Sequence, residues 1–533
     1  MRAAYRPSSL RKPRSRLGVL AAALVLFATA CAGPRETVRP EQAAVPAPRA
    51  AQVSPTQFFH RAYDELAVRY IQPIDMPVLA STGLNGLSKI DQRVAVKRTD
   101  TRLQVMDGAI VAASYDLPRR DDALRWAQLT AAAIDSARNI SPTLRDTPNE
   151  RVFRAVMDEA LAPLDAYTRY DDPDRARDAR ASRDGFGGIG VTVGFEQGEV
   201  RVDAVTPDSP AARGGIRVGD RLVAADGRAF LGMPERDVIS RLRGPIGSEV
   251  RIEIRRPPAE TRSEIKLTRS HIVSPTVTYR RDGDIAYFRV TGFNQRTTDT
   301  LTDAVRRAKA EIGPKLRGAV LDLRGNLGGL LDQAVGVSDL FLARGTIVST
   351  RGRHRGALQS MTAQQGDIGE DVPLVVLVNG QSASASEIVA AALQDNGRAV
   401  VVGTTSFGKG SVQTLVPMPN DGELVITWAR FHAPTGYPLA DLGVIPAVCT
   451  SGNDQIAPAL QAINQGRTTG PEVMVRWRAA DHSDMDGLRR LRQICAPENA
   501  NRESDLGIAE ALLRDRTLFS RALESVQLAA EAR

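Results

Sequence analysis

The chain has 533 residues, too many for one ordinary hydrophobic core, so about three or four domains are expected. Hydrophobic residues make up 42% of the chain and charged residues 25%, a balance that is typical of globular proteins and excludes a disordered chain. The net charge of +8 is spread along the chain without a dense basic cluster, so no nucleic-acid partner is expected.

The amino terminus carries an export pattern. A basic leader ends at Arg16, the apolar run Leu17–Ala30 follows, and the small residues 28–30 stand directly before Cys31. This order is typical of a secretory signal, and about 14 apolar residues are too few to span a bilayer comfortably. The sequence therefore predicts a signal peptide over residues 1–30 and a protein of the bacterial periplasm or cell envelope.

The residues before Cys31 also resemble a bacterial lipobox, in which the cysteine is acylated. Ala28 stands where such motifs usually have leucine, and residues 28–30 would equally serve an ordinary signal peptidase. Lipidation of Cys31, with a membrane tether, and ordinary cleavage both stay open. Residues 31–55 are rich in proline and alanine and predict an extended tether.

Residues 56–180 are predicted to form a helical domain. Three stretches, near 58–71, 121–140 and 149–164, place apolar residues at three- and four-residue spacing. No catalytic cluster is apparent there, so a scaffold or a homodimer interface is the expected role of this region.

Residues 186–269 resemble a PDZ domain. The glycine-rich stretch Gly188-Ile189-Gly190-Val191 is followed by short strands, by the turn residues Ser209-Pro210, and by Gly219-Asp220. In PDZ domains such a loop offers backbone N–H groups to the terminal carboxylate of a peptide, which adds a strand to the sheet edge. The resemblance implies substrate binding at residues 188–191; a generic β-domain with turn glycines is the alternative.

Strands and helices alternate over residues 275–449, which predicts a layered α/β core. Residues 450–533 are helical and charged in pattern. Cys449 and Cys495 could pair in an oxidising compartment, a point that the sequence leaves open.

Three glycine- and serine-rich segments of this core point to chemistry. In the first, an apolar strand ends at Asn379 and a helix is expected near Glu387, so Ser382, Ser384 and Ser386 lie at a helix N-terminus that favours an oxyanion. Ser384 and Glu387 also fit an ordinary capping box.

In the second segment, Asp322-Leu323-Arg324 ends a buried strand and Gly328-Gly329 follows, a pair that can present N–H groups to an oxyanion.

The third segment contains Lys409 between two glycines. It fits part of a phosphate-binding loop, but Gly410 stands where Ser or Thr should hold Mg²⁺, so nucleotide binding is rejected. A desolvated lysine can instead be neutral and accept a proton from a serine hydroxyl. None of the five histidines lies in a motif near these loops, which favours a Ser-Lys dyad over a Ser-His-Asp triad.

Together, residues 322–329, 382–387 and 407–413 closely resemble the motifs of the C-terminal processing (tail-specific) serine peptidase family. That resemblance implies Ser384 as nucleophile, Lys409 as general base and Gln413 as the residue that orients Lys409. It further implies oxyanion donors at Ala385 and at Gly328 or Gly329, and a multidomain α+β protein whose core has a ClpP/crotonase-like fold, with no cofactor and no metal. Leu327 replaces a proline that is frequent in the family.

The expected activity is endopeptidase cleavage of proteins recognised by their C-termini, with an adaptor or regulator protein as a further candidate partner. The main alternative is a catalytically silent PDZ scaffold, and a Ser-Lys amidase is a second one. Intact Ser384, Lys409 and Gln413 argue against the scaffold.

Overall fold

The computed structural model describes residues 53–364, 366–369 and 372–531. The predicted signal peptide, Cys31 and nearly all of the predicted tether lie outside the described residues. Within those residues, no helix has the length and apolar character that crossing a membrane requires.

The N-terminal region combines helices with a small sheet. Its elements are α1 (Pro55–Arg69), α2 (Met76–Leu84), β1 (Val94–Arg98), β2 (Arg102–Asp107), β3 (Ile110–Asp116), α3 (Ala123–Ile140), α4 (Pro142–Asp146), α5 (Asn149–Leu161), β4 (Arg169–Asp171) and α6 (Pro173–Asp184).

The prediction of a helical domain over 56–180 was wrong for residues 94–116 and for the short strand β4. Over residues 94–116, β1, β2 and β3 form an antiparallel sheet, and β2 and β3 are joined at Asp107-Gly108. An Asp-Gly pair is a strong hairpin signal because its glycine takes a positive φ, here +59°. Leu103 and Val105 are buried at a spacing of two, the period of a strand with one buried face.

Residues 186–272 form a β-domain around its own small core. Its elements are β5 (Phe186–Gly188), β6 (Val191–Glu196), β7 (Glu199–Val205), α7 (Pro210–Arg213), β8 (Arg221–Ala225), β9 (Arg228–Ala229), α8 (Glu235–Leu242), β10 (Glu249–Arg256), β11 (Thr261–Thr268) and β12 (Ser270–Ile272). The main sheet has the order β11-β10-β8-β7-β6, which leaves β6 at one edge.

The α/β core contains two sheets. Its elements are β13 (Val277–Asp282), β14 (Ile285–Val290), α9 (Thr297–Ile312), β15 (Gly318–Asp322), α10 (Leu331–Asp339), β16 (Thr346–Arg351), β17 (Gln359–Thr362), β18 (Leu374–Val378), α11 (Ala385–Asp395), β19 (Ala399–Gly403), β20 (Ser411–Pro417), β21 (Glu423–His432) and β22 (Val448–Cys449).

The first sheet, in the order β13-β14-β15-β18-β19-β22, is parallel from β14 onward. Every residue of β15, β18 and β19 is buried, as expected for parallel strands that are covered on both faces. The carboxyl ends of these neighbouring strands lie at one edge of the sheet. The segments that begin at Leu323, Asn379 and Thr404 therefore leave the sheet side by side.

The second sheet joins the core to the N-terminal region. Its order is β17-β16-β21-β20, and β4 of the N-terminal region pairs with β21. Leu424 and Ile426 of β21 belong to the same hydrophobic cluster as Phe58 and Phe153, whose rings stack with centroids 4.2 Å apart. The two regions thus share one hydrophobic core.

The chain ends in helices that pack back onto the first sheet. They are α12 (Ile456–Asn464), α13 (Pro471–Arg478), α14 (Met485–Arg492), α15 (Glu503–Arg514) and α16 (Arg516–Glu531). Leu513 of α15 lies against Gly318 at the start of β15. A disulfide between Cys449 and Cys495 links the end of β22 to the segment after α14.

Candidate active site

The three serines between β18 and α11 differ in what their hydroxyls bind. Ser382 Oγ donates to Leu323 O over 2.9 Å and accepts from Asn379 N, and Ser386 Oγ donates to Asn326 O over 2.8 Å. Both residues are fully buried, whereas Ser384 is 9% exposed. Two of the hydroxyls are therefore structural, and Ser384 is the residue among the three that keeps some exposure, with Glu387 forming the predicted capping box with it.

Ser384 also has an unusual backbone. Its φ of +57° lies in the left-handed region, which a residue with a side chain rarely adopts. Such strain concentrates at functional sites, where the surrounding structure holds it in place. Ser384 stands directly before α11, so its side chain is presented at the N-terminal end of a fully buried helix.

The carboxylate of Glu387 connects the serine to the lysine. Its Oε2 accepts from Ser384 N over 2.7 Å and from Lys409 N over 2.9 Å, and its Oε1 accepts from Ser406 Oγ and Gly408 N, each over 2.6 Å. Glu387 is completely buried, and burial raises its pKa, an effect that these four donors oppose. One oxygen thus ties the backbones of Ser384 and Lys409 together.

Lys409 is half-buried beside an aromatic ring. Its Nζ lies 4.9 Å from the centroid of the Tyr167 ring. Burial lowers the pKa of Lys409, the charge of Arg169 lowers it further, and Glu387 opposes the shift. No hydrogen bond joins Lys409 Nζ to Ser384 Oγ in the described part of the chain. In this structure the amine contacts the face of the Tyr167 ring and not the Ser384 hydroxyl.

Gly328 lies directly against the serine. Its φ is +103°, and a Cβ built on it would approach Ser384 Cβ to 2.8 Å and Ala385 N to 3.0 Å. Ala385 is the first residue of α11, so its N–H has no carbonyl partner within the helix. The N–H of Gly328 donates to Asn326 Oδ1 over 2.9 Å. Of these two groups beside Ser384, the Ala385 N–H is the one available to an oxyanion.

Known proteins match this chain over the same regions. Residues 284–449 match the model of peptidase family S41, and residues 201–256 match a PDZ domain. The carboxy-terminal-processing protease of Bartonella bacilliformis is 40% identical over 302 residues, which are 56% of this chain and 70% of that protein. The chain belongs to peptidase family S41.

Further relatives of the family carry the same kind of name. The carboxyl-terminal-processing protease of a Picosynechococcus species is 35% identical over 54% of this chain and 70% of its own length. The solved structure of the photosystem II D1 C-terminal processing protease is 26% identical, covers 74% of this chain and 92% of that chain, and has a TM-score of 0.38. The predicted recognition as a C-terminal processing serine peptidase with a PDZ domain is confirmed.

The segment Asp322-Leu323-Arg324 is held by buried ion pairs and hydrogen bonds at the end of β15. Asp322, at the end of β15, accepts hydrogen bonds from Arg324 and from Tyr287 Oη, and it lies 2.9 Å from Arg289 Nη1. Burial alone would raise the pKa of Asp322, but the hydrogen bonds and charge of Arg324 outweigh it and lower the pKa. The role of this segment in the described structure is to fix the turn that carries Gly328.

Gln413 lies on β20, four residues after Lys409. Its Nε2 donates to Ser411 Oγ over 2.9 Å and to Thr427 Oγ1 over 3.3 Å. Thr427 Oγ1 in turn donates to Asp165 Oδ1 over 3.0 Å. Gln413 therefore belongs to a network next to Lys409, but no hydrogen bond to Lys409 itself is formed by it among the described residues.

The glycine-rich stretch 188–191 lies at the edge of the β-domain. Ile189 is buried, Gly190 has a φ of +83°, and a Cβ on Gly190 would come within 2.2 Å of Ser209 Cβ. Only glycine fits this close approach. Val191 begins β6, whose outer edge pairs with no other strand in the described sheet.

Two groups near the lysine were missed by the sequence analysis. Tyr167 lies in the turn before β4, and Arg169 is the first residue of that strand. Asp165 holds the turn by accepting from Tyr167 N over 2.7 Å and from Thr168 N over 3.0 Å. More than 200 residues separate them from Lys409. No local pattern announces such a contact, because it depends on the pairing of β4 with β21.

Proposed function

We propose that Ser384 and Lys409 form a Ser-Lys dyad that hydrolyses peptide bonds by acyl transfer. The observation that supports this most directly is the Glu387 carboxylate, because a single oxygen binds the backbone N–H groups of both residues. The residual exposure of Ser384, whose two neighbouring serines are fully buried, and the lowered pKa of Lys409 fit the same roles.

In the proposed reaction, the neutral Lys409 amine leaves the Tyr167 ring and accepts the proton of Ser384 Oγ as this oxygen attacks the peptide carbonyl. The Ala385 N–H, at the start of α11, stabilises the developing oxyanion, and a glycine N–H from the 328–329 turn completes the site once Asn326 releases it. Lys409 then gives its proton to the leaving amine. In the second half of the reaction, water attacks the acyl-enzyme with Lys409 again as base, and Ser384 Oγ leaves and recovers its proton.

We propose that the substrates are proteins with a free C-terminus, bound as an added strand along β6 with the carboxylate at residues 188–191. The unpaired edge of β6 and the PDZ match over residues 201–256 support this mode. Gln413 would orient Lys409 when the amine turns to Ser384. An adaptor protein, a homodimer through the helical regions and the ClpP/crotonase-like fold class remain sequence-based predictions.

We also propose export to the cell envelope, with Cys31 as a lipidated tether. This proposal rests on the amino-terminal sequence alone. Mass spectrometry of the mature amino terminus, isolated from membranes, distinguishes an acylated Cys31 from an ordinary cleavage product.

The test of the dyad is cleavage of an unfolded protein that ends in a free carboxylate. Ser384→Ala and Lys409→Ala should each abolish cleavage while the unfolding temperature stays close to wild type, and Lys409→Arg should also fail because arginine stays charged. The exposed Ser240→Ala and Lys266→Ala are matched controls that should cleave normally. Full cleavage by the Ser384→Ala or Lys409→Ala variant would contradict the dyad.

A further inference from the structure

One segment of the C-terminal region contacts all three loops of the active site. It comprises Arg492–Asp505, between the last residue of α14 and the first turn of α15, and is called the clasp below. The three loops are residues 322–329, 379–387 and 403–410, which carry Gly328, Ser384 and Lys409. The family match ends at residue 449, so the clasp lies outside it.

Arg492 holds the loop that carries Lys409. Its Nη2 donates to Ser406 O over 3.0 Å and to Phe407 O over 3.2 Å, and its Nη1 donates to Leu442 O. A Cβ on Gly408 would lie 3.1 Å from Arg492 Nη1, so the guanidinium packs closely beneath the loop. Burial lowers the pKa of Arg492, and the charge of Glu387 opposes this shift. The half-buried guanidinium thus binds three carbonyl oxygens close to Lys409.

Glu498 and Asn499 hold the loop that carries Ser384. Glu498 O accepts from Gly380 N over 2.7 Å, and Asn499 O accepts from Asn379 Nδ2 over 3.1 Å. Glu498 N also donates to Thr404 Oγ1 over 3.1 Å, which brings the beginning of the Lys409 loop into the same set of bonds. Backbone groups of the clasp therefore join two of the loops to each other.

The end of the clasp holds the loop that carries Gly328. Arg324 Nη1 donates to Arg502 O over 2.6 Å and to Asp505 Oδ2 over 3.1 Å. Arg324 is 5% exposed and Asp505 is 2% exposed. Removing either charge of the Arg324–Asp505 pair would leave the other one buried and unpaired, which is costly.

The clasp is itself fastened to the sheet beside β19. Cys495 forms the disulfide with Cys449 at the end of β22, and Arg502 Nη1 donates to Thr450 O over 3.0 Å. The carboxylate of Glu498 accepts from Ser451 Oγ over 2.9 Å and from Gly452 N over 2.8 Å. The covalent link and these bonds keep the clasp at the carboxyl ends of the strands.

We propose that the clasp is a positioning element of the peptidase. In it, Arg492 and the Cys449–Cys495 disulfide keep the loops of Ser384, Lys409 and Gly328 in fixed positions relative to one another. Without the contacts of the clasp, the three loops are no longer held in fixed relative positions. Acyl transfer therefore slows, while peptide binding by the β-domain is unaffected. This inference rests on the proposed Ser384–Lys409 chemistry, since it names what holds that site.

Arg492→Gln is the first test, with the exposed Arg490→Ala on the same helix as matched control. The rate of Ser384 acylation by an activated ester should fall at least about tenfold in Arg492→Gln, which corresponds to about 1.4 kcal/mol of barrier. The dissociation constant for a peptide with a free C-terminus should stay at the wild-type value in both variants. Arg492→Lys should recover part of the rate, because an ammonium can still donate to the carbonyl oxygens.

Hydrogen exchange provides a readout that does not depend on activity. Amides of residues 404–410 should exchange faster in Arg492→Gln than in wild type, and those of β10 should not change. A wild-type acylation rate in folded Arg492→Gln, or an equal loss of acylation and peptide binding, would overturn the proposal. The Ser384→Ala protein distinguishes failure of the clasp proposal from failure of the dyad proposal. If Ser384→Ala is inert while Arg492→Gln reacts at the wild-type rate, the positioning role of the clasp is wrong and the dyad stands.

The disulfide provides a second test if Arg492→Gln does not fold. Dithiothreitol breaks the Cys449–Cys495 bond, each sulfur gains one electron and one proton, and the reagent becomes its cyclic disulfide. The reduced wild type should acylate more slowly than the oxidised form, and Cys449→Ser/Cys495→Ser should be equally slow and insensitive to dithiothreitol. Equal rates for the oxidised, reduced and double-variant proteins would contradict the role of the link.

Discussion

At the scale of single residues, the site depends on which polar groups are already bonded. The hydroxyls of Ser382 and Ser386 donate hydrogen bonds to carbonyl oxygens of the neighbouring turn. Ser384 lies between them and has a strained backbone. The sequence alone left the choice among the three open, and only the family resemblance selected Ser384. The hydrogen bonds give an independent reason for the same choice, because two of the candidates are structural.

The titration of Lys409 leads to a prediction about pH. As the proposed general base it must be neutral, and burial together with the charge of Arg169 lowers its pKa below the usual 10.5. Activity should therefore be lost as the pH falls through this lowered pKa and be retained above it. Glu387, whose charge acts in the opposite direction, and the Tyr167 ring are the other groups facing the amine.

Arg169→Gln should move the ascending limb of kcat/KM to higher pH, because one of the two influences that lower the pKa of Lys409 is removed. Arg177→Gln, an exposed residue on α6, is the matched control and should leave the limb in place. The measurement is a pH profile of peptide cleavage. A limb that moves to lower pH in Arg169→Gln would contradict the assignment of Lys409 as base.

At the scale of elements, the site is built by three parallel strands that end side by side. β15, β18 and β19 are neighbours in the sheet, and each is followed by one of the motif segments. Their alternation with helices predicted a layered α/β core from the sequence. The order of the strands, which places the turn of Gly328 beside Ser384, depends on long-range pairing and could not be read from local pattern.

Two glycines of the turn after β15 make a matched pair for testing this arrangement. Both have positive φ, so alanine costs about 1–2 kcal/mol of backbone strain at either position. A Cβ at Gly328 would approach Ser384 Cβ to 2.8 Å, whereas a Cβ at Gly325 meets nothing closer than 3.8 Å. Gly328→Ala should therefore slow acylation about tenfold more than Gly325→Ala, measured by active-site labelling, with urea unfolding to show that both variants are folded. Equal rates in the two variants would argue against contact between the turn and the serine.

At the scale of the whole molecule, the N-terminal region and the catalytic core share one hydrophobic core against the second sheet. Leu424 of β21 is fully buried in the cluster that also contains Phe58 and Phe153. β4, which follows the turn of Tyr167, completes that sheet. The region predicted as a scaffold thus also supplies an aromatic ring and a cation next to Lys409.

Leu424→Ala should destabilise both regions together. Truncation of a buried leucine costs about 2–5 kcal/mol, and the cavity would lie between the N-terminal helices and β21. Hydrogen exchange in increasing urea should show α1, α3 and β21 losing protection in one transition, at lower urea than in wild type. The exposed Leu358→Ala is the control and should change the transition little. Separate transitions for α1 and β21 would contradict a shared core.

The sequence by itself determined the family, the PDZ-like module and the three segments that carry the chemistry, because these depend on short motifs whose residue types are set by local geometry. It misjudged residues 94–116, where the Asp-Gly hairpin signal was overlooked. Only the tertiary structure decided which serines bond their hydroxyls to neighbouring carbonyl oxygens, that Glu387 joins Ser384 to Lys409, that Tyr167 lies beside the lysine, and that Arg492 binds the loop that carries it. Those contacts join residues far apart in the chain, and they exist only once strand order and helix packing bring the segments together.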